Sequence, residues 1–471
     1  MNNAKRFVKT TAIYFFGDVL TKIITFLCCR CTLPKSPPTI SYYDLAFNYL
    51  GVIGRSSMEV WSGVLRFSFD YLQKEDKYKV FANGSTLFAA SAVLYTAGYL
   101  VIGSLFQIQY GLLIFLCGLT QMLQLLYTSF ARSLAMNLTF MVSGVLGSFA
   151  NITTNIIMIG FLGFGIESMF IGLIISYLLQ AVIMECKVKF LRHCRLRDLV
   201  FALLKNMARF CAPLCVNTIA FWLLSSYNRV AISGSMGLEA TGIFGVAARF
   251  TSVIILFVSV FNRSWQELSY SMSGDASRDK LYTTATNLYI KFLGFGIILL
   301  QPATKIIFPF LIDPAYGEAL GILPMYYLAT MMTSLSGFLG YIFDSEKKTH
   351  ISFISMVISG LLNVAVIHLL LPHLGLHAAT IALFIGFFSN VVLRIVMLRK
   401  SVHIKIHVNS FYALAILVLF VISAVIFYTL STLWNAVWLV VMAGAALFAF
   451  KQQIRQGIAF VKTNLLKKSK E

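Results

Sequence analysis

Apolar runs of about 20 residues follow one another along this chain, separated by short polar connections. Each run is long enough to cross a bilayer as a helix. In hydrocarbon a backbone must satisfy its own hydrogen bonds, which leaves helices or a closed barrel. Uninterrupted stretches such as AILVLFVISAVIFYTL (415–430) exclude a barrel, whose strands are short and alternate in polarity. The pattern predicts an all-α polytopic membrane protein with spans near 10–32, 42–66, 81–106, 110–132, 140–162, 167–186, 211–233, 238–262, 286–311, 319–343, 350–371, 376–398, 411–430 and 433–450. The segments 42–66 and 211–233 hold the most polar residues of these fourteen.

Composition agrees. Of 471 residues, 58% are hydrophobic and only 12% charged, about half the charged share of soluble proteins; the mean hydropathy is +0.81. The opening MNNAKRFVKTTAIYFFGDVL has a basic start but no small-residue cleavage site, so it reads as a first spanning helix that stays. With the N-terminus taken as cytoplasmic, nearly all loop lysines and arginines fall on the cytoplasmic side, and Lys35 stands alone on the other. This bias favours an even number of spans with both ends inside. It also accounts for the net charge of +20 without nucleic acid, the anionic lipid leaflet being the natural neighbour. Cys28, Cys29 and Cys31 cluster in CCRC with no second cluster, which favours packing over a metal site.

Two halves are visible. SGVLGSFANITTNIIMIGFLGFGIESMFIG (143–172) resembles SMVISGLLNVAVIHLLLPHLGLHAATIALF (355–384), with Asn151 matching Asn363 and Gly163 matching Gly375 at one common offset. That is the trace of parallel six-helix repeats. The expected organisation is a six-helix lobe over 1–186, a basic interfacial linker over 187–210, a second six-helix lobe over 211–400, and two extra helices with a basic tail over 401–471. The linker carries Leu196, Leu199, Val200, Leu203 and Leu204 at helical spacing.

Charged residues inside the spans are the candidate chemistry. A charge at the bilayer centre costs roughly 2.5–3.5 kcal/mol or more, so it faces a cavity or a partner. Arg249 lies roughly 15 Å along its predicted span, with Gly242, Gly245 and Ala248 preceding it on much the same face. Arg229 stands near the external end of its span beside Ser225, Ser226, Tyr227 and Asn228, within snorkelling reach of the interface. Arg55 is deep, with Glu59 four residues on as an alternative ion-pair partner. Asp18 and Lys22 form another such pair, and Asp18 is also a candidate protonatable site for coupling. Arg66, Arg132, Arg263, Lys291 and Arg394 fall near predicted cytoplasmic ends, where snorkelling is the default. Trp61, Tyr127, Trp222, Tyr227 and Trp265 are candidates for stacking on sugars, although bilayer interfaces attract Trp and Tyr in any case.

Certain stretches carry a family likeness. The opening FVKTTAIYFFGDVLTKIITF with YYDL, then NRVAISGSMGLEATGIFGVAARF, AYGEALGILPMYYLA and KKTHISFISMVISGLLNVAVIHLLLPHLGLHAATIAL, resemble the bacterial polysaccharide transporters, the O-antigen flippases. The likeness covers roughly residues 7–400. It implies the fold of the multidrug/oligosaccharidyl-lipid/polysaccharide exporter superfamily, two helical lobes around a central cavity, in the bacterial inner membrane. It implies an undecaprenyl-diphosphate-linked oligosaccharide as cargo, proton or sodium coupling, and polymerase or chain-length proteins of the same pathway as partners. The chain departs from the family where Asp18 stands in place of a frequent Asn and Asn228 in place of a frequent Asp.

Under that resemblance Arg249, Arg55, Arg229 and Arg132 become candidates for the anionic headgroup, since guanidinium groups pair with phosphate and keep their charge when desolvated. Tyr227, Asn228, Trp222 and Trp61 become candidates for the glycan, and Asp18, Lys22 and Glu59 for coupling. A multidrug exporter of the same superfamily is one alternative, but cationic drugs call for deep carboxylates and this chain has few. A polytopic glycosyltransferase or polymerase is the alternative of a different class; the short external connections offer no paired carboxylates for it. No P-loop is present in the sequence, and no cofactor is expected.

Overall fold

The structure, a computed structural model, describes residues 59–105, 109–165, 167–193, 198–275, 277–312, 314–453 and 455. Regular structure among them is helical: α1 (Val60–Ser68), α2 (Lys74–Leu105), α3 (Gly111–Ser133), α4 (Asn137–Phe161), α5 (Glu167–Val188), the short α6 (Phe190–His193), α7 (Phe201–Ser271), α8 (Arg278–Leu311), α9 (Glu318–Ser345), α10 (Thr349–Leu374), α11 (Leu376–Met397), α12 (Ser410–Thr429) and α13 (Thr432–Ala449). Among the described residues eleven helices are long and apolar enough to cross a membrane. The chain is an all-α multi-pass membrane protein. Of the other expected spans, 10–32 and most of 42–66 lie outside the described residues. The third, 211–233, is helical as the first arm of α7.

Helix α7 has two arms with almost no loop between them. Gly237 is its one non-helical residue, with φ 86° and ψ −177°, and the second arm begins at Glu239. Without a Cβ, glycine adopts this conformation at little cost. The connection expected over SMGLE therefore shrinks to a single break.

Two compact units emerge. One holds the described chain up to Trp222 together with Lys347–Phe353; the other holds Leu223–Glu346 and Ile354 onward. The core of the first is aromatic and aliphatic, with Val64, Phe81, Phe130, Met207 and Cys211 fully buried. Phe81 stacks on Phe130 at 4.2 Å and meets Phe190 edge-on at 4.3 Å. The chain after α6 is tied to this core by Asn83, which donates to the Asp198 carbonyl at 3.1 Å and accepts from the Val200 amide at 3.0 Å. Of the linker leucines, Leu203 and Leu204 pack on the core while Leu199 is exposed; Leu196 lies outside the described residues. Amides line the seam between α3 and α5. Gln124 donates to Gln180 at 2.9 Å and Gln121 to the Tyr177 hydroxyl at 3.3 Å.

The second unit is centred on Trp265, fully buried, stacked on Phe338 at 4.3 Å and donating through Nε1 to the Phe338 carbonyl at 3.0 Å. Tyr289 stacks on the same ring at 4.7 Å. Trp265 is a core residue rather than a sugar platform. Helices α12 and α13 pack on α8, where Gly294 leaves room for Ile416.

Internal repetition is legible in packing as well as in sequence. Asn151 on α4 lies against Gly172 on α5, and Asn363 on α10 lies against Gly386 on α11. Gly163 and Gly375, matched in sequence, both end a helix with positive φ, 70° and 52°.

The snorkelling expectation is overturned for two cations. Arg66 is only 3% exposed and pairs with Asp70 at 2.8 Å. Arg394 is buried as well, only 2% exposed. Its guanidinium donates to the Ser336 carbonyl and hydroxyl on α9, and Nε donates to the Ser355 hydroxyl on α10 at 3.2 Å. Asn390, one turn earlier on α11, reaches Ser336 and Ser355 as well. A single buried cation thus ties three helices together, next to Gly340, where any added Cβ would stand 2.9 Å from the guanidinium. A group satisfied in this way is costly to leave half-made. Arg394→Ala and Gly340→Ala are each expected to lower stability by about 1–3 kcal/mol. Thermal unfolding of the detergent-solubilised protein, with Arg399→Ala as the exposed control, reads the effect.

Candidate functional site

The second arm of α7, Glu239–Ser271, carries a cation that has no partner among the described residues. Along its more open side Gly242, Gly245, Arg249, Ser252, Ser259 and Arg263 recur at helical spacing. Arg249 is exposed, and among the described residues its guanidinium has no hydrogen bond or ion pair. Nothing lies within 4 Å of where a Cβ on Gly245 would be, one turn before it. The Ser252 and Ser259 hydroxyls donate to carbonyls of their own helix, Arg249 at 2.6 Å and Leu256 at 2.8 Å, and Ser252 keeps lone pairs for a guest. The opposite side of the arm is core: Phe244, Ala247, Thr251 and Trp265 are buried.

A second group surrounds Arg229. This residue is exposed on the first arm of α7, and its guanidinium lies near the Tyr326 hydroxyl on α9. Tyr326 stacks on Phe244 of the second arm at 5.0 Å. Two residues before Arg229, the Tyr227 hydroxyl meets Nε2 of His368 on α10 at 2.6 Å. The group therefore presents a guanidinium, two phenols and an imidazole. Sequence reasoning missed His368 and Tyr326; the signal for His368 was the first of three imidazoles in the otherwise apolar HLLLPHLGLH.

Asn228 belongs to the interior. It is fully buried, donates to the Ala379 carbonyl at 2.8 Å and accepts from Asn363 at 2.9 Å. Its amide is consumed in joining α7, α10 and α11, so it offers nothing to a glycan in this conformation. Arg132, at the last turn of α3, is 9% exposed and engaged with its neighbours rather than open to a headgroup.

Glu59 precedes α1 and accepts from the Thr218 hydroxyl at 2.8 Å. Trp61 is half-buried at the start of α1, and Trp222 lies within the first arm of α7. Asp18, Lys22 and Arg55 fall outside the described residues. No group of three or more His, Cys, Asp or Glu side chains is arranged for a metal among the described residues.

Against known proteins, the likeness is in fold. No protein-family model matches the chain, and no curated protein matches it in sequence. Solved structures do match. An outward-facing multidrug-resistance MATE-family transporter of the MOP superfamily superposes with a TM-score of 0.71 at 15% identity, over 89% of this chain and 97% of that one. This chain is folded like that MATE-family transporter. A mutant of the Vibrio cholerae MATE transporter VcmN gives a TM-score of 0.68 at 15% identity, over 85% of this chain and 98% of its own. A MOP-superfamily transporter from Pyrococcus furiosus, for which a reversed polarity of the binding pocket suggests a different function, gives 0.68 at 16% identity over 89% and 99%.

The two kinds of polar residue are separable by stability. Asn228→Ala removes two buried hydrogen bonds and is expected to cost about 1–2 kcal/mol. Arg249→Ala, with no partner to lose, is expected to change stability by less than about 0.5 kcal/mol. Thermal melts of the two purified variants check the contrast.

Proposed function

We propose that this chain is a flippase that moves an undecaprenyl-diphosphate-linked oligosaccharide across the bacterial inner membrane, from the cytoplasmic to the outer leaflet. The observation that carries the reading is Arg249, a guanidinium roughly 15 Å along a spanning helix that is exposed and unpartnered among the described residues. Against lipid such a group would cost several kcal/mol; facing water inside the membrane, it becomes a binding group for an anion. The cargo supplies the matching chemistry, because a diphosphate takes the paired donors of arginine. Tyr227, Arg229, Tyr326 and His368 add donors and ring faces suited to sugar hydroxyls and rims. The polyprenyl tail stays in the lipid while one lobe rocks against the other to alternate access, driven by protons or sodium. Both termini lie in the cytoplasm, as the lysine and arginine bias favours.

Drug export is the competing reading, because a multidrug MATE transporter is among the fold neighbours. The charge pattern counts against it. The carboxylates Glu59, Glu267 and Asp344 are engaged within the protein, whereas the open intramembrane charge is positive.

The test is transport in proteoliposomes loaded with fluorescent undecaprenyl-diphosphate oligosaccharide, read by the accessibility of the glycan to an external quencher. Arg249→Ala is expected to slow translocation about tenfold or more, the worth of a charge-assisted hydrogen bond, and Arg249→Lys to recover part of the rate. Wild-type rates in Arg249→Ala, or export of cationic dyes by the wild-type protein with no effect on the glycolipid, would overturn the assignment.

A further inference from the structure

The chain between α11 and α12 is neither helix nor free loop. After a π turn at Leu398–Val402, His403 takes the left-handed conformation and residues 404–409 (IKIHVN) run without helix or strand into Asn409, which caps α12 by accepting from the Phe411 and Tyr412 amides at 3.1 and 3.3 Å. Such a segment leaves its backbone groups unpaired unless something meets them. Here the side chains on one face of α8 do so. Asp279 accepts from the Lys405 amide at 3.1 Å, and Thr283 bonds the Lys405 carbonyl and the His407 amide, both at 3.3 Å. Asn287 donates to the His407 carbonyl and accepts from the Asn409 amide, both at 2.8 Å. Positions 279, 283 and 287 are one turn apart, so α8 supplies a ladder along which the segment is strapped.

That strapping fixes the faces of the segment. Ile404 is fully buried and Ile406 and Val408 are partly buried, while His403, Lys405 and His407 point outward. Arg399 and Lys400 at the π turn and Lys280 on α8 are exposed as well. Among the described residues Arg399, Lys400 and Lys405 have no ion pair. The strap links the ends of two spanning helices, Leu376–Val402 and Ser410–Thr429, which sets it at the bilayer surface. A fixed row of unpaired cations at that level faces lipid headgroups.

We propose that this strap is a docking surface for anionic phospholipid headgroups, with Arg399, Lys400 and Lys405 as the contacting cations. The ladder makes the site: Asp279 and Thr283 hold Lys405 beside the helical turn that carries Arg399 and Lys400, so the three charges stand on ordered backbone rather than on a mobile loop. The inference does not depend on the transported cargo, since no residue of the strap belongs to the candidate substrate site.

The test uses the full-length protein in neutral detergent titrated with a short-chain phosphatidylglycerol and, separately, with the matching phosphatidylcholine, binding being read by microscale thermophoresis. Phosphatidylglycerol is expected to bind the wild type at least about tenfold more tightly than phosphatidylcholine. Each charge removed is expected to weaken it by about fivefold, so the combined variant Arg399→Gln, Lys400→Gln, Lys405→Gln loses most of the preference. Lys451→Gln, an exposed cation beyond α13, is expected to keep it. Asn287→Ala retains every cation but releases the strap, and is expected to weaken phosphatidylglycerol binding by threefold or more. Equal binding of the two lipids, or undiminished phosphatidylglycerol binding in the combined variant, would overturn the site. Unchanged binding in Asn287→Ala would overturn the role of the ladder.

Discussion

A charge in hydrocarbon must be held by the protein, reach the surface, or meet water. The cations of this chain divide along those lines. Arg394 is held, its guanidinium spent on Ser336 and Ser355 where three helices meet. Arg399, Lys400 and Lys405 reach the surface on a strap fixed to α8. Lys291 and Lys305 lie over the rings of Tyr412 and Phe427 at 4.0 and 5.2 Å, which softens their desolvation. Arg249 fits neither the first case nor the second. It remains for water, the state on which the proposed anion-binding role rests.

The spans were readable because bilayer thickness writes them directly into the sequence; long runs such as 415–430 admit no other structure. The repeat was readable for a packing reason. Asn151 and Asn363 each lie against a glycine of the next helix, and Gly163 and Gly375 each end a helix with positive φ, so backbone geometry pinned residue types that drift could otherwise have erased. What the sequence could not show was which side of a helix each polar residue takes. Arg394 and Arg399 are five positions apart in similar surroundings, yet one is the most enclosed cation described and the other is exposed. Asn228 and Arg229 are adjacent and point to opposite fates, buried amide and exposed guanidinium. The pairing of Tyr227 with His368 joins residues 141 positions apart and leaves no local pattern.

These placements explain how one helix can serve the core and keep an open polar side. The second arm of α7 buries Phe244, Ala247 and Trp265 in the core of its unit and leaves Gly245, Arg249 and Ser252 on the other side. Core contacts fix the angle of the helix, and that angle aims Arg249. A mobile guanidinium would lose side-chain entropy on every binding event; one carried on a packed helix is already placed for the proposed anion.

The central claim is that Arg249 faces water within the membrane. Thiol chemistry measures this directly, because a cysteine reacts as its thiolate, which forms only where water reaches it. In membranes carrying a background free of native cysteines, Arg249→Cys and Ile255→Cys, an exposed apolar position on a different side of the same arm, can be compared for reaction with a charged methanethiosulfonate. The account predicts rapid modification at position 249 and slow modification at 255. Equal rates, or an inert position 249, would contradict it.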